Sequence, residues 1–193
     1  MRLFVAILGL IGLQAIFACS NQAIYKQTAH ACDSLNGALS LAKNQLLSTD
    51  STLLKKAIAR SKEYQDFISQ HVGDTLSKSE ADQLQKMLQS ADKLQAFTEN
   101  KYLLSERMSF VSSQLANLGA DAEKKASAEE IIQGYYQREQ LQVQLLLKYA
   151  AEQMSLYQTS LADFKSALPG VEALIRKRNR GELPQIIKDT LNL

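Results

Sequence analysis

Two cysteines, two histidines and a short basic run are the side chains in this sequence whose types could carry chemistry. Metal centres in helical bundles commonly use Glu-x-x-His pairs, because that spacing turns both ligands inward at one level. Three residues before His30 and His71 stand Gln27 and Ile68, so neither pair can ligate in that way. The sequence holds no His-Glu-x-x-His, no Cys-x-x-Cys and no tight calcium loop. Nucleophilic catalysis needs a serine or cysteine beside a positioned base, and no G-x-S-x-G elbow is present. A nucleotide would need a glycine-rich turn from strand to helix whose amides approach phosphate, and none occurs. The acidic pairs Glu129-Glu130 and Asp121/Glu123 fall where a helix starts or in a loop, so dipoles and solvation account for them. We therefore expect no enzyme here: no catalytic residue, no metal ligand and no cofactor.

Charge and punctuation narrow the class further. Twenty-two Lys and Arg against twenty Asp and Glu leave a net charge of +2, too small for a protein that neutralises many phosphates, and a nucleic-acid partner is not expected. Eight glycines, two prolines and no tryptophan among 193 residues favour helices and disfavour all-β and Rossmann-type folds.

Hydrophobic spacing then lays out the helices that must position any site. Tyr25, Thr28, Cys32, Leu35, Leu39, Ala42 and Leu46 recur at 3,4 intervals and predict a first helix over 23–47, with Cys32 on its apolar stripe and His30 off it. Residues 48–51 are turn and cap formers, and a second helix follows to Val72 before Gly73, carrying Leu54, Ile58, Tyr64, Phe67 and Ile68. Capping boxes at Ser77/Glu80 and Ser79/Asp82 start a third helix expected to end at Leu118, before Gly119. Its seam runs through Leu94, Phe97, Lys101, Leu104, Met108, Val111, Leu115 and Leu118, with a stammer near Leu94. Ser127 and Glu130 cap a fourth helix, expected to end near Leu168 before Pro169-Gly170. Its seam is read as Tyr136, Gln140, Val143, Leu147, Ala150, Met154, Tyr157, Leu161, Phe164 and Leu168. The predicted fold is all-α: an elongated antiparallel helical bundle in one domain over 19–193. It contains a long coiled-coil hairpin over about 79–168 and a short helical tail over 171–193. Val111, Leu115, Val143, Leu147, Tyr157 and Leu161 are expected core residues, while Tyr135 and Tyr149 lie beside the seam as candidates for a partner surface.

The amino terminus has the order basic, apolar, small, polar: Arg2, a run over 3–18 broken only by Gln14, then Cys19, Ser20, Asn21 and Gln22. At about 1.5 Å per residue the run reaches only ~24 Å, which suits a signal peptide over 1–18 better than a membrane span. The junction Ile16-Phe17-Ala18-Cys19 resembles the lipobox of bacterial lipoproteins, with Phe17 standing where that family has a small residue. The resemblance implies cleavage before Cys19 and lipidation of Cys19, hence an exported protein anchored in the cell envelope, at the outer membrane facing the periplasm. The competing reading is cleavage after Ala18 with a Cys19–Cys32 disulfide, which gives a soluble periplasmic or secreted helical binding protein.

The expected function is thus a lipid-anchored structural or protein-interaction module. It would have the membrane and an envelope protein as partners, and homo-oligomers are open to it because the same stripes can pair between chains. Arg176, Lys177, Arg178 and Arg180 are candidates for membrane-surface contact, against the plainer reading of a helix end whose cations complement the dipole. If four helices alternate in direction from an anchored Cys19, the tip over 119–125 should lie far from the membrane and project uncovered by the shorter helices.

Overall fold

The computed structural model describes residues 21–72 and 76–184. Among them are four α-helices and no strand: α1 Asn21–Leu47, α2 Ser51–His71, α3 Lys78–Lys124 and α4 Glu129–Arg178. The protein is an all-α helical bundle. The expected signal peptide over 1–18, Cys19, Gly73 and the last nine residues of the tail lie outside the described residues.

Local chemistry starts and stops these helices. Asp50 caps α2, its Oδ1 accepting from the Thr52 and Leu53 amides at 2.9 Å. Before α3, the Ser77 amide and hydroxyl both donate to Glu80 Oε2 at 2.8 and 2.7 Å, and the Glu80 amide donates back to Ser77 Oγ at 3.3 Å. This is the expected capping box. Those bonds to its charged form, led by the Ser77 hydroxyl, hold the Glu80 carboxyl down at about 2.

The long helices end later than the sequence predicts. α3 runs through Gly119 to Lys124, and α4 runs through Pro169 to Arg178. Gly119 does not stop the helix and packs on α1, where a Cβ would make ordinary contact 3.5 Å from Cys32 Cβ and 3.9 Å from the Ala29 carbonyl oxygen. Pro169 withholds one helix hydrogen bond. The apolar face nonetheless continues beyond it in buried Val171, Leu174 and Ile175, and that packing carries the helix on. Each long helix stops in a Schellman motif: the Ala126 amide donates to Asp121 O at 2.9 Å, and the Gly181 amide to Arg176 O at 2.8 Å. The left-handed position is held by Lys125 in one and Arg180 in the other, both at φ 51°, where glycine is the usual occupant.

The chain divides into two compact units. Unit 1 joins α1 to residues 102–124 of α3 and 129–152 of α4; unit 2 joins α2 to residues 78–101 of α3 and 153–178 of α4. In unit 1 the α1 stripe is buried from Thr28 to Leu46, with Cys32 fully so, and it faces Leu104, Met108, Val111, Leu115 and Leu118. Lys43 Nζ donates to Ser109 Oγ at 2.8 Å, Ser112 Oγ to Asn36 Oδ1 at 2.7 Å and Tyr25 Oη to Ser127 O at 3.0 Å. Rising numbers on α1 thus meet falling numbers on α3, so these two helices are antiparallel. In unit 2, Lys101 is the one charged residue of the α3 seam and is only 1% exposed. Its ammonium donates to Ser51 Oγ at 2.9 Å and Thr49 Oγ1 at 3.1 Å, hydrogen bonds that a buried cation requires.

Unit 1 overturns the bare-tip expectation. α1 lies along the hairpin end, with Tyr25 bonded at the turn, Gln133 Nε2 donating to Thr28 Oγ1 at 2.8 Å and Cys32 packed on Gly119. The start of α1 and the start of α4 are neighbours, so within unit 1 the hairpin turn is covered by α1.

The seam of α4 is shifted in part. Its buried residues are Ile132, Val143, Ala150, Gln153, Ser160, Phe164, Ala167, Leu168, Val171, Leu174 and Ile175, with Tyr136, Glu139, Leu146 and Tyr157 half-buried between them. Two members of the predicted stripe, Met154 and Leu161, lie one residue after the buried Gln153 and Ser160, whereas Leu168 is buried as expected. Leu147, Met154 and Leu161 are half-buried, as is Tyr157, whereas Val111, Leu115 and Val143 are core as expected. A reading that follows the most apolar residues passes over Gln153 and Ser160, whose neighbours Met154 and Leu161 look better.

Candidate functional site

Among the described residues no group of three or more His, Cys, Asp or Glu side chains could hold a metal. His30 is exposed, and His71 Nδ1 donates to Phe67 O at 2.9 Å while its ring stacks on Phe67, so both follow the plain reading. Cys32 is a core side chain. Burial, with the charges of Asp33 and Glu139, pushes its thiol up to about 11, which keeps it protonated and unreactive at neutral pH. Burial likewise raises the Glu139 carboxyl, whose Oε2 is buried without a hydrogen-bond partner. Glu129 and Glu130 occupy the first turn of α4, where the dipole favours them.

The basic run is a helix terminus. Arg176 donates to Gly181 O at 3.2 Å, Lys177 pairs with Glu80 at 3.4 Å, Arg178 closes α4 and Arg180 holds the left-handed position beyond it. Cys19 lies outside the described residues.

A different feature stands out in unit 1. Among the described residues, every large apolar side chain that is exposed belongs to this unit: Leu41, Leu47, Tyr102, Leu103, Phe110, Ile131, Tyr135, Leu141, Leu145 and Tyr149. Unit 2 exposes none of them and instead joins its helices by the ion pairs Arg60–Glu172, Lys86–Asp163 and Lys177–Glu80. Within unit 1 an open groove of about 460 Å³ runs between α3 and α4. Leu103, Glu106, Arg107, Phe110 and Val111 form one wall, and Gln142, Leu145 and Leu146 the other. α1 occupies the side of α3 marked by Ser109, Ser112 and Gly119, so the groove is a separate face.

The sequence flagged two members of this surface. Tyr135 and Tyr149 are 53% and 41% exposed, with the Arg138 guanidinium 5.8 Å from the Tyr135 ring centroid, while Tyr136 and Tyr157 turn inward as expected. Leu103 and Phe110 lie off the seam stripe of α3, where the 3,4 pattern of the core gives no sign of them. The available signal was the spacing Leu103, Glu106, Arg107, Phe110, which places four residues on a second face of α3.

The fold thus defines a helical-bundle protein with an open apolar groove in unit 1. No protein family, curated protein or solved structure matches the chain. No helix among the described residues is long and apolar enough to cross a membrane.

Proposed function

We propose that this chain is a lipid-anchored helical protein of the bacterial cell envelope, acting as a structural or interaction module without catalysis. The observation that carries the interaction role is the confinement of exposed large apolar side chains to unit 1. A contiguous apolar patch on a folded protein marks a place where something binds, and Leu103, Phe110 and Leu145 of this set gather along one groove. The anchor rests on the lipobox-like Ile16-Phe17-Ala18-Cys19 and on the polar residues that follow. Arg176, Lys177, Arg178 and Arg180 enter as a capped helix end first, and as a second membrane contact only through charge not already engaged.

The geometry of α1 favours lipidation of Cys19 over the disulfide alternative. From Asn21 to Cys32 the helix rises about 16 Å, and two further residues can reach back at most ~8 Å, which leaves more than the ~7 Å a disulfide allows between Cα atoms. Closing that bond would require the first turn of α1 to open and the buried Cys32 to leave its place against Gly119. Mass spectrometry of the mature amino terminus tests the reading. A diacyl or triacyl mass on Cys19 is expected; an unmodified terminus with a Cys19–Cys32 bridge refutes it.

A further inference from the structure

We propose that the groove of unit 1 receives a second copy of this chain, the two α3 helices lying parallel about a two-fold axis so that each seats in the other's groove. The proposal rests on reading this face as an interaction surface and is independent of whether Cys19 is acylated. Leu103 and Phe110, 52% and 65% exposed, are seven residues apart and sit at the centre of the second face of α3. Glu106 and Arg107 lie between them in height, one on each flank, about 100° apart around the helix. Neither makes an ion pair within the chain among the described residues, and adjacent residues on a helix cannot pair with each other.

This arrangement selects both the occupant and its direction. A two-fold axis running along the helices sets the acidic flank of one α3 against the basic flank of the other. Glu106 then meets the second copy's Arg107 and Arg107 meets the second copy's Glu106, at nearly equal height. Leu103 and Phe110 each stack on their own counterparts above and below, the layer-and-flank pattern by which paired helices choose orientation. An antiparallel pairing would instead bring acidic flank to acidic flank and basic to basic. Arg107 lines the groove beside Leu145 and Leu146 of α4, so an α3 lying there brings its own Glu106 to that wall.

Placement agrees with pairing on one membrane. Leu103, Phe110 and Leu145 together leave on the order of 300 Å² of apolar surface open per copy, roughly 600 Å² for a pair and about half of what a stable interface buries, so the contact is a weak one. A parallel two-fold puts the starts of both α1 helices at the same end, so two anchored copies share a bilayer, and confinement there raises their effective concentration.

Sedimentation equilibrium of the full chain in density-matched detergent tests the proposal. The unaltered chain should dimerise, and Glu106→Arg or Arg107→Glu alone should raise the dissociation constant about tenfold or more by juxtaposing like charges. The double change, Glu106→Arg with Arg107→Glu, should return it to within about threefold. A chain still monomeric at about 0.1 mM gives the groove to another occupant and overturns the proposal, as does a double change no better than the single ones. Direction is read separately by oxidation of chains carrying Leu103→Cys, which should bond to themselves. Bonding only between Leu103→Cys and Phe110→Cys chains would overturn the parallel arrangement. The acyl mass on Cys19 is untouched by any of these results, so failure here and failure of the anchor are told apart.

Discussion

Ser160 is a case in which removing a polar group from the core should strengthen the fold. It lies on the inward face of α4 in unit 2, is 2% exposed, and its Oγ has no hydrogen-bond partner. A buried hydroxyl without a partner forfeits its hydration, a cost of about 1–3 kcal/mol. Ser160→Ala removes that cost and adds a few tenths of a kcal/mol of helix propensity. Against this stands the small void left by one oxygen, worth a few tenths at most. The net gain should be about 1–2 kcal/mol, or roughly 2–8 °C in the melting temperature of a chain this size. Urea unfolding followed by circular dichroism would measure it, read only if the slope with denaturant is unchanged. Equal or lower stability would show that the hydroxyl has a partner, such as the carbonyl four residues back or a held water, and would remove the argument that α4 carries unsatisfied polar groups on its seam.

Two further outcomes follow from the caps and the buried carboxylate. Lys125→Gly should gain about 0.5–1 kcal/mol by relieving the left-handed backbone at the end of α3, whereas Lys125→Ala, which keeps that backbone strained, should gain nothing in the same titration. Stability against pH should separate Glu80 from Glu139. Glu80 is held at about 2 against an ordinary 4.5, so its contribution is complete above 4.5 and is lost as pH falls toward 2; Glu80→Gln should abolish that loss. Glu139 is raised by burial, so its charge weakens the fold at neutral pH and the fold gains as pH falls through the raised value toward 4.5; Glu139→Gln should be more stable at pH 7 and lack that gain. A variant with an unchanged profile would refute the assignment for that residue.

How much of this was legible in the residues depended on which signal was followed. Periodicity served well where core and apolarity coincide: the α1 stripe from Thr28 to Leu46 and the α3 seam from Leu94 to Leu118 are buried, Lys101 included. It slipped on α4, where tertiary contacts bury Gln153 and Ser160 in preference to the more apolar Met154 and Leu161, something no count of hydrophobic residues can reveal. Punctuation misled at Gly119 and Pro169-Gly170. Neither ends its helix, because the buried face continues past it, in Ala122 after Gly119 and in Val171, Leu174 and Ile175 after Pro169-Gly170. The groove was readable only in part, because it is built from second faces whose apolar members are few and are interrupted by Glu106 and Arg107.

The bond from Tyr25 to the Ser127 carbonyl has a mechanical meaning for a tethered chain. A pull applied ahead of Asn21 enters the molecule along the axis of α1, beside the turn that joins the two long helices. The stripe from Thr28 to Leu46 lies along α3, so the load is shared by all of its contacts at once and must slide helix past helix instead of peeling one turn at a time. Chain ends are ordinarily where folded proteins come apart first. In this one, the end that would carry the tether is clamped to the hairpin turn, and the force of anchorage meets the fold in shear.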